Sequence, residues 1–227
     1  MRSVELAKIF IKVNDVFINM VKTLPSYLKH WEVKARSSHK CSLCDRTINP
    51  GEIYFKYINP KTGWEMKACN LHFDPKEEQE YEQKQQMWWE KAKKSYIFLE
   101  TDSSGSVGER WAFVAFLVSE GEMKEIYRER GETPPEYRGS PTLGEGFAVL
   151  KALKWLIKTE QDGELEKMPV KIYNDNYAVV RKLETLSTKG HQIWRELMTL
   201  LEPLVAEGRF KHGGPVTGQA DSYAQKW

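Results

Sequence analysis

Tyr96–Val118 reads YIFLETDSSGSVGERWAFVAFLV, and the fold turns on how this stretch divides. An apolar, strand-like run ends on an acid, Asp102. Ser103-Ser104-Gly105-Ser106 makes a short turn, and a second strand follows from Trp111 to Val118. β-branched and aromatic residues on both sides of a tight Gly/Ser loop predict two antiparallel strands. Asp102 then sits on the first strand beside the turn, where its carboxylate can face a cleft. An Asx-turn, with the carboxylate bonding its own backbone, is the structural alternative.

Downstream, the pattern predicts a third strand over about 122–130 and a loop rich in Pro and Gly. A long amphipathic helix follows from about Thr142 to Thr159, with Phe147, Ala148, Leu150, Leu153, Leu156 and Ile157 as its apolar set. Next come a strand at Pro169–Asn174 and helices at Tyr177–Leu186 and Gln192–Ala206. A short strand at Arg209–His212 and a helical stretch from Gln219 to Trp227 complete the chain. Strands in series and then α–β alternation give a mixed sheet with helices on its faces, an α/β fold.

Four acids punctuate this order: Asp102 in TDSSGS, Glu145 in LGEGFAVLKAL, Asp175 in KIYNDNYAVV and Asp221 in KHGGPVTGQADSYA, the last preceded by His212. Each has a local explanation. Glu145 stands three residues after Thr142, as in a capping box. Asp175 can cap the following helix, and Asp221 suits the positive N-terminus of the last one. A single site that holds metal explains all four together. Their order and placement resemble the ribonuclease H family, type 1, over residues 96–227. That resemblance implies a site for Mg²⁺ or Mn²⁺, with Asp102 bridging two ions and Glu145, Asp175 and Asp221 each holding one side. It also implies that His212, on a mobile loop, assists proton transfer or product release. Hard oxygen ligands suit such ions. Unligated, four clustered carboxylates repel one another, which predicts raised pKa values.

This sequence departs from the family in three places. Ser103 stands where Gly often follows the first Asp. Leu143 and Gly144 replace Asn residues that contact 2′-hydroxyls. No clear basic protrusion lies between Asp175 and His212.

Upstream, Cys41-Ser-Leu-Cys44 and Cys69-Asn-Leu-His72 form a C-x2-C…C-x2-H array around a hairpin (Glu52–Ile58, then Trp64–Ala68, turning at Asn59–Gly63). Three thiolates and an imidazole at this spacing suit a closed, tetrahedral, structural Zn²⁺. A module of roughly 40 residues has too little core to fold without metal. The arrangement resembles a treble-clef zinc finger, and His39 is the alternative to His72 as fourth ligand. Residues 4–24 carry an apolar stripe at helical spacing, stopped by Pro25. It packs on the protein's own core or, as the alternative, docks a protein partner or a membrane surface. Residues 25–40 read as a basic connector. Asp74-Pro75-Lys-Glu77 opens a polar connector helix to about Lys94, and Trp88 and Trp89 are expected to dock its far end. The organisation expected is thus 1–40 helix and connector, 41–73 zinc module, 74–95 connector helix and 96–227 nuclease domain.

The net charge of +2 hides an asymmetry. Residues 1–72 carry 12 Lys/Arg against 6 Asp/Glu, giving +6, whereas residues 96–227 carry 17 against 20, giving −3. A basic part joined to an acidic part suits a polyanion grip attached to chemistry. Lys8, Lys12, Asp15 and Lys22 interrupt the first apolar stretch, so no membrane span is expected. All three cysteines fall in one metal-like array, which predicts a cytoplasmic, intracellular protein.

The expectation is a metal-dependent endonuclease that cuts the RNA strand of RNA–DNA hybrids, with the zinc module gripping nucleic acid. Trp31, Tyr54, Tyr57 and Trp64 are candidates to stack on bases, or to form the module's own core, the role expected of Trp64. A nuclease of the same fold acting on DNA or structured RNA is one alternative. A silent nucleic-acid-binding scaffold is the other.

Overall fold

The computed structural model describes residues 23–44, 46–213 and 217–225, with backbone only at 221 and 225. The amphipathic helix expected over 4–24 lies outside these residues except at its last two positions, and so does the end of the terminal helix at 226–227. Among the described residues no helix is long and apolar enough to cross a membrane.

Two compact units are present. The first takes the chain up to Ile58 together with Glu65–Glu78. In it β1 (His30–Lys34), β4 (Ile53–Ile58) and β5 (Glu65–Cys69) form an antiparallel sheet in the order β1-β4-β5, while β2 (His39–Lys40) pairs with β3 (Thr47–Ile48). The hairpin is the expected one. β1 corrects the reading of 25–40 as connector: HWEVK extends the hairpin because Val33 pairs with Tyr54 and Trp31 with Lys56.

Ala35, Cys41, Ile48, Tyr54 and Cys69 form one small core of this unit; Leu24, Tyr57 and Ala68 form another. Tyr54 and Tyr57 are therefore core residues, each 3% exposed, and not platforms for bases. Trp64 reverses its expected role, being 67% exposed at the turn before β5. Among the described residues these clusters are small, and so little burial stabilises the unit only weakly, which is the physical case for a metal staple.

The second unit takes Asn59–Trp64 and Gln79 onward. α1 (Pro75–Lys91) begins in the first unit and runs on into the second, and Asp74 Oδ1 caps it by accepting from Lys76 N at 2.9 Å. Its polar surface has two anchors in the second unit. Trp89 Nε1 donates to Gly208 O at 3.1 Å, and Tyr81 Oη donates to Val205 O at 2.9 Å.

The sheet of this unit holds β6 (Ser95–Ser104), β7 (Arg110–Ser119), β8 (Glu122–Glu132), β9 (Val170–Tyr173) and β10 (Phe210–His212) in the order β10-β9-β6-β7-β8. β6, β7 and β8 are antiparallel neighbours; β9 runs parallel to β6, and β10 parallel to β9. The helices are α2 (Pro141–Gln161), α3 (Tyr177–Thr185), α4 (Gln192–Ala206) and α5 (Gln219–Gln225).

Because side chains alternate along a strand, β6 and β7 feed two cores. Trp111 packs edge-on to Phe147 and Phe113 lies beside Trp155, which seats α2 on one face. Phe98, Val114, Phe116 and Val118 gather around Ala220 of α5 on the other. Burying each such aromatic or aliphatic side chain contributes about 1.5–3 kcal/mol. The α2 periodicity is the expected one, with Ala148, Leu153 and Leu156 fully buried. This is the mixed sheet flanked by helices that the sequence predicts.

Candidate metal centres

β6 extends two residues past Asp102, which pairs with Ala112 inside the ladder. Asp102 is therefore a strand residue, and the Asx-turn alternative falls. The capping alternatives fall as well. Ser140 is the N-cap of α2, its Oγ accepting from Leu143 N at 3.3 Å. Asn176 is the N-cap of α3, accepting from Ala178 N at 3.0 Å and Val179 N at 3.4 Å. With both caps taken by neutral side chains, neither Glu145 nor Asp175 serves a helix end.

The second unit brings Asp102, Glu145 and Asp175 together, with one carboxylate oxygen from each lying within 4.8 Å of the others. They come from the end of the central strand, the first turns of α2 and the β9–α3 junction. Asp102 is half-buried, Glu145 is 5% exposed and Asp175 is exposed, so the cluster opens to solvent on one side. Asp221 lies on the backbone of α5, and its side chain is outside the described residues.

Glu145 is held from both sides. Its Oε1 accepts from Ser103 N and Ser103 Oγ, each at 3.0 Å, and its Oε2 accepts from Asn174 Nδ2 at 2.7 Å. Burial pushes the Glu145 carboxyl up; bonds with Asn174, Asp102 and Ser103 pull it back without cancelling the rise. A raised pKa is what clustering predicts, but the first cause is desolvation rather than repulsion.

Ser103 thus has work to do where the family often has Gly. Gly144 has a packing reason: a Cβ there would lie 2.6 Å from Gly108 Cα and 2.9 Å from Ser103 Oγ. The first turn of α2 and the β6–β7 turn touch backbone to backbone, and Asn does not fit without moving one of them.

His212 is the last residue of β10, at the end of the strand expected over Arg209–His212. Its ring is bonded to the Asn174 backbone, and Nε2 is buried without a hydrogen-bond partner. Burial lowers its pKa, outweighing Glu184 and the Asn174 bond, so the neutral imidazole is favoured.

Sequence reading missed Asn174 and Glu100. Asn174 is 1% exposed and also bonds Thr101 Oγ1 at 3.1 Å. Glu100, 3% exposed, accepts from Gly218 N at 2.7 Å and from Thr217 Oγ1. The signal for Glu100 was in the sequence, since a charge inside an apolar strand must be paired.

In the first unit, Cys41, Cys44, Cys69 and His72 place one sulfur or nitrogen each within 4.8 Å of the others, and Cys44 Sγ lies 3.7 Å from Cys69 Sγ. His39 is engaged elsewhere, its Nδ1 lying 3.1 Å from Lys67 Nζ, so His72 is the histidine that joins the cysteines. Burial raises the Cys41 thiol, but backbone N–H groups of Cys69, Leu43 and Cys44 outweigh it and the net shift is down. Burial and the neighbouring sulfurs push the Cys44 thiol up to about 12. Cys41 is thus the more readily ionised of these two, and a thiolate on Cys44 needs a compensating cation. Three soft sulfurs and an imidazole fit a closed tetrahedral zinc, and the carboxylate set fits a hard dication.

No protein-family profile and no curated protein matches the sequence. Solved structures resemble it in shape. An RNase H1 isolated from compost by a metagenomic approach is 14% identical over 57% of this chain and 91% of that one, at a TM-score of 0.41. The N-terminal RNase H domain of a Mycobacterium tuberculosis protein is 16% identical over 58% and 89%, also at 0.41. RNase H1 from the halophilic archaeon Halobacterium salinarum is 17% identical over 57% and 92%, at 0.38. Strand order, directions and helix placement are what give the second unit its ribonuclease H-like fold.

Proposed function

We propose that this chain is a divalent-metal-dependent endonuclease of ribonuclease H type that cuts the RNA strand of RNA–DNA hybrids. The observation that supports it is the convergence of Asp102, Glu145 and Asp175 from three elements, while neutral residues take the helix caps. Neither helix end needs Glu145 or Asp175 as its cap, and burying Glu145 beside two other acids is costly without a cation. Asp221 is proposed as the fourth acid, on the strength of its place on α5.

In this reading Asp102, Glu145, Asp175 and Asp221 would hold Mg²⁺ or Mn²⁺. Such ions activate a water and stabilise the leaving oxygen of an in-line phosphodiester displacement. Ser103 and Asn174 fix the Glu145 carboxylate so that both oxygens are oriented before substrate arrives. His212, kept neutral, would take up or release a proton at Nε2. Cys41, Cys44, Cys69 and His72 would hold a structural Zn²⁺, and the basic module built around it would grip nucleic acid.

Cleavage of matched RNA–DNA hybrid, duplex RNA, duplex DNA and single strands, with and without Mg²⁺, is the test. Metal-dependent cleavage of the hybrid alone is expected. Asp102→Asn, nearly isosteric, should keep the circular dichroism spectrum and lose several orders of magnitude in turnover. Full activity in a folded Asp102→Asn protein, or no cleavage of any nucleic acid by the parent, would overturn the reading.

A further inference from the structure

A groove of about 860 Å³ runs along β1 in the first unit, and none of the Cys3His ligands lines it. Its polar lining is Lys34, Arg36, His39 and Lys56, with Glu32 as its acid, over a floor that includes buried Tyr54. Lys34 and Arg36 are exposed, and neither has an acidic partner among the described residues. Lys56 is tied to Glu65 at 2.7 Å, a contact at the surface that an incoming anion can exchange. His39 adds a donor. An ammonium group has only hydrogens to offer, so His39 Nδ1 must accept from Lys67 Nζ at 3.1 Å. The ring proton then belongs on Nε2. The groove therefore presents hydrogen-bond donors from four side chains, two of them unneutralised cations.

Trp31, opposite Lys56 in the β1–β4 register, is 37% exposed and shares its face with Lys56, while Lys34 lies on the other face of β1. β1 is also an edge strand of its sheet, so half of its backbone N–H groups point away from β4. Donors and unpaired cations along an extended edge strand suit a repeating anion more than a single one.

We propose that this groove binds the sugar–phosphate backbone of a nucleic-acid strand, with Lys34 and Arg36 as the phosphate contacts. The inference rests on the proposed reading that the metal-binding module grips nucleic acid, and it assigns that grip to one surface. An acidic peptide would also meet the cations, and displacement of the hybrid by poly-glutamate beyond the effect of matched ionic strength would overturn the assignment.

The test uses full-length Asp102→Asn protein, so that substrate survives, and a fluorescein-labelled RNA–DNA hybrid followed by anisotropy across a KCl series without divalent metal. Adding Lys34→Ala and Arg36→Ala should weaken binding about tenfold or more at low salt. The slope of log affinity against log salt should fall by about 1.4–1.8, the release of counterions from two phosphates. Zinc content and the circular dichroism spectrum of the variant should match the parent. Equal affinity and equal slope in a folded, zinc-loaded variant would overturn the groove while leaving the nuclease reading in place. A parent that binds no nucleic acid would overturn both. Displacement of the hybrid by inorganic phosphate or a mononucleotide, beyond the effect of matched ionic strength, would replace the strand by a single-phosphate ligand and overturn this assignment.

Discussion

Glu100 shows how one buried charge can organise a site it does not join. It lies two residues before Asp102 on β6, and it receives the Gly218 N–H and the Thr217 hydroxyl just ahead of α5. The segment that carries Asp221 is thereby tied to the strand that carries Asp102. Glu100→Ala should leave the Gly218 N–H without its acceptor, a loss of about 1–3 kcal/mol. Mn²⁺ binding, read by calorimetry, should weaken several-fold, and Glu100→Gln, which keeps an acceptor oxygen, should recover most of both effects. Unchanged metal affinity in a folded Glu100→Ala protein would remove this role.

His212 makes a second prediction at this scale. Its folded pKa lies below the ordinary value of about 6.5, chiefly through burial, so the unfolded chain takes up the proton first. Its contribution to stability is full above about pH 6.5 and is lost as pH falls through the folded value. A ring C–H resonance that titrates below the free-histidine midpoint is the expected NMR signature. A midpoint at or above 6.5 would contradict it.

At the scale of elements, β10 is fixed to the rest of the sheet by an ion pair as well as by its ladder. Arg209, 1% exposed, donates to Glu160 Oε2 at 3.1 Å and to Met168 O at 2.8 Å. This joins the end of α2 to the segment leading into β9 and to the start of β10. Removing one partner strands the other charge in the interior. Arg209→Met should therefore destabilise by about 3–5 kcal/mol in urea unfolding. Adding Glu160→Leu should restore much of it, because an apolar pair of similar volume avoids desolvating two charges. If the double variant is no more stable than the single, the pair is not the cause. The same logic separates α2 from its cap. Ser140, a neutral N-cap, lets Glu145 enter the interior, where a capping acid would have stayed at the helix end.

For the whole molecule, the two units differ in what holds them. The second has cores on both faces of a five-stranded sheet, while the first, among the described residues, has two small clusters and the Cys3His group. Stripping metal with a strong chelator should therefore unfold the first unit and spare the second, since zinc binding energy there is also folding energy. Proteolysis after chelation should leave a resistant fragment beginning near α1. A protein that contains no zinc as purified, with freely reactive cysteines, would contradict this. Deleting residues 1–73 is a harsher experiment than chelation, because residues 59–64 belong to the second unit. The Pro60 carbonyl accepts from Thr188 N at 2.8 Å, and Lys189 Nζ lies 5.2 Å from the Trp64 ring. The deletion should raise KM more than it lowers kcat if the module is a grip, with a circular dichroism control for that lost packing.

The sequence by itself determined the elements and their chemistry. Apolar runs on either side of a Gly/Ser turn specified β6 and β7, a 3.6-residue stripe specified α2, and the spacing of Cys41, Cys44 and Cys69 drew together one ligand set with His72 or His39 as its fourth member. These signals are local, written in residues two to four apart or in paired ligands, and they survive reading without a fold. Tertiary structure decided the rest. That Ser140 and Asn176 would be the caps, that Glu145 would be buried against Ser103 and Asn174, and that β9 would lie parallel to β6 all depend on chain closure over long separations. Glu100 and Gly218 meet across 118 positions. Trp64 is exposed and Tyr54 buried although both are aromatics of one hairpin, because burial is set by what packs against each face and not by residue type.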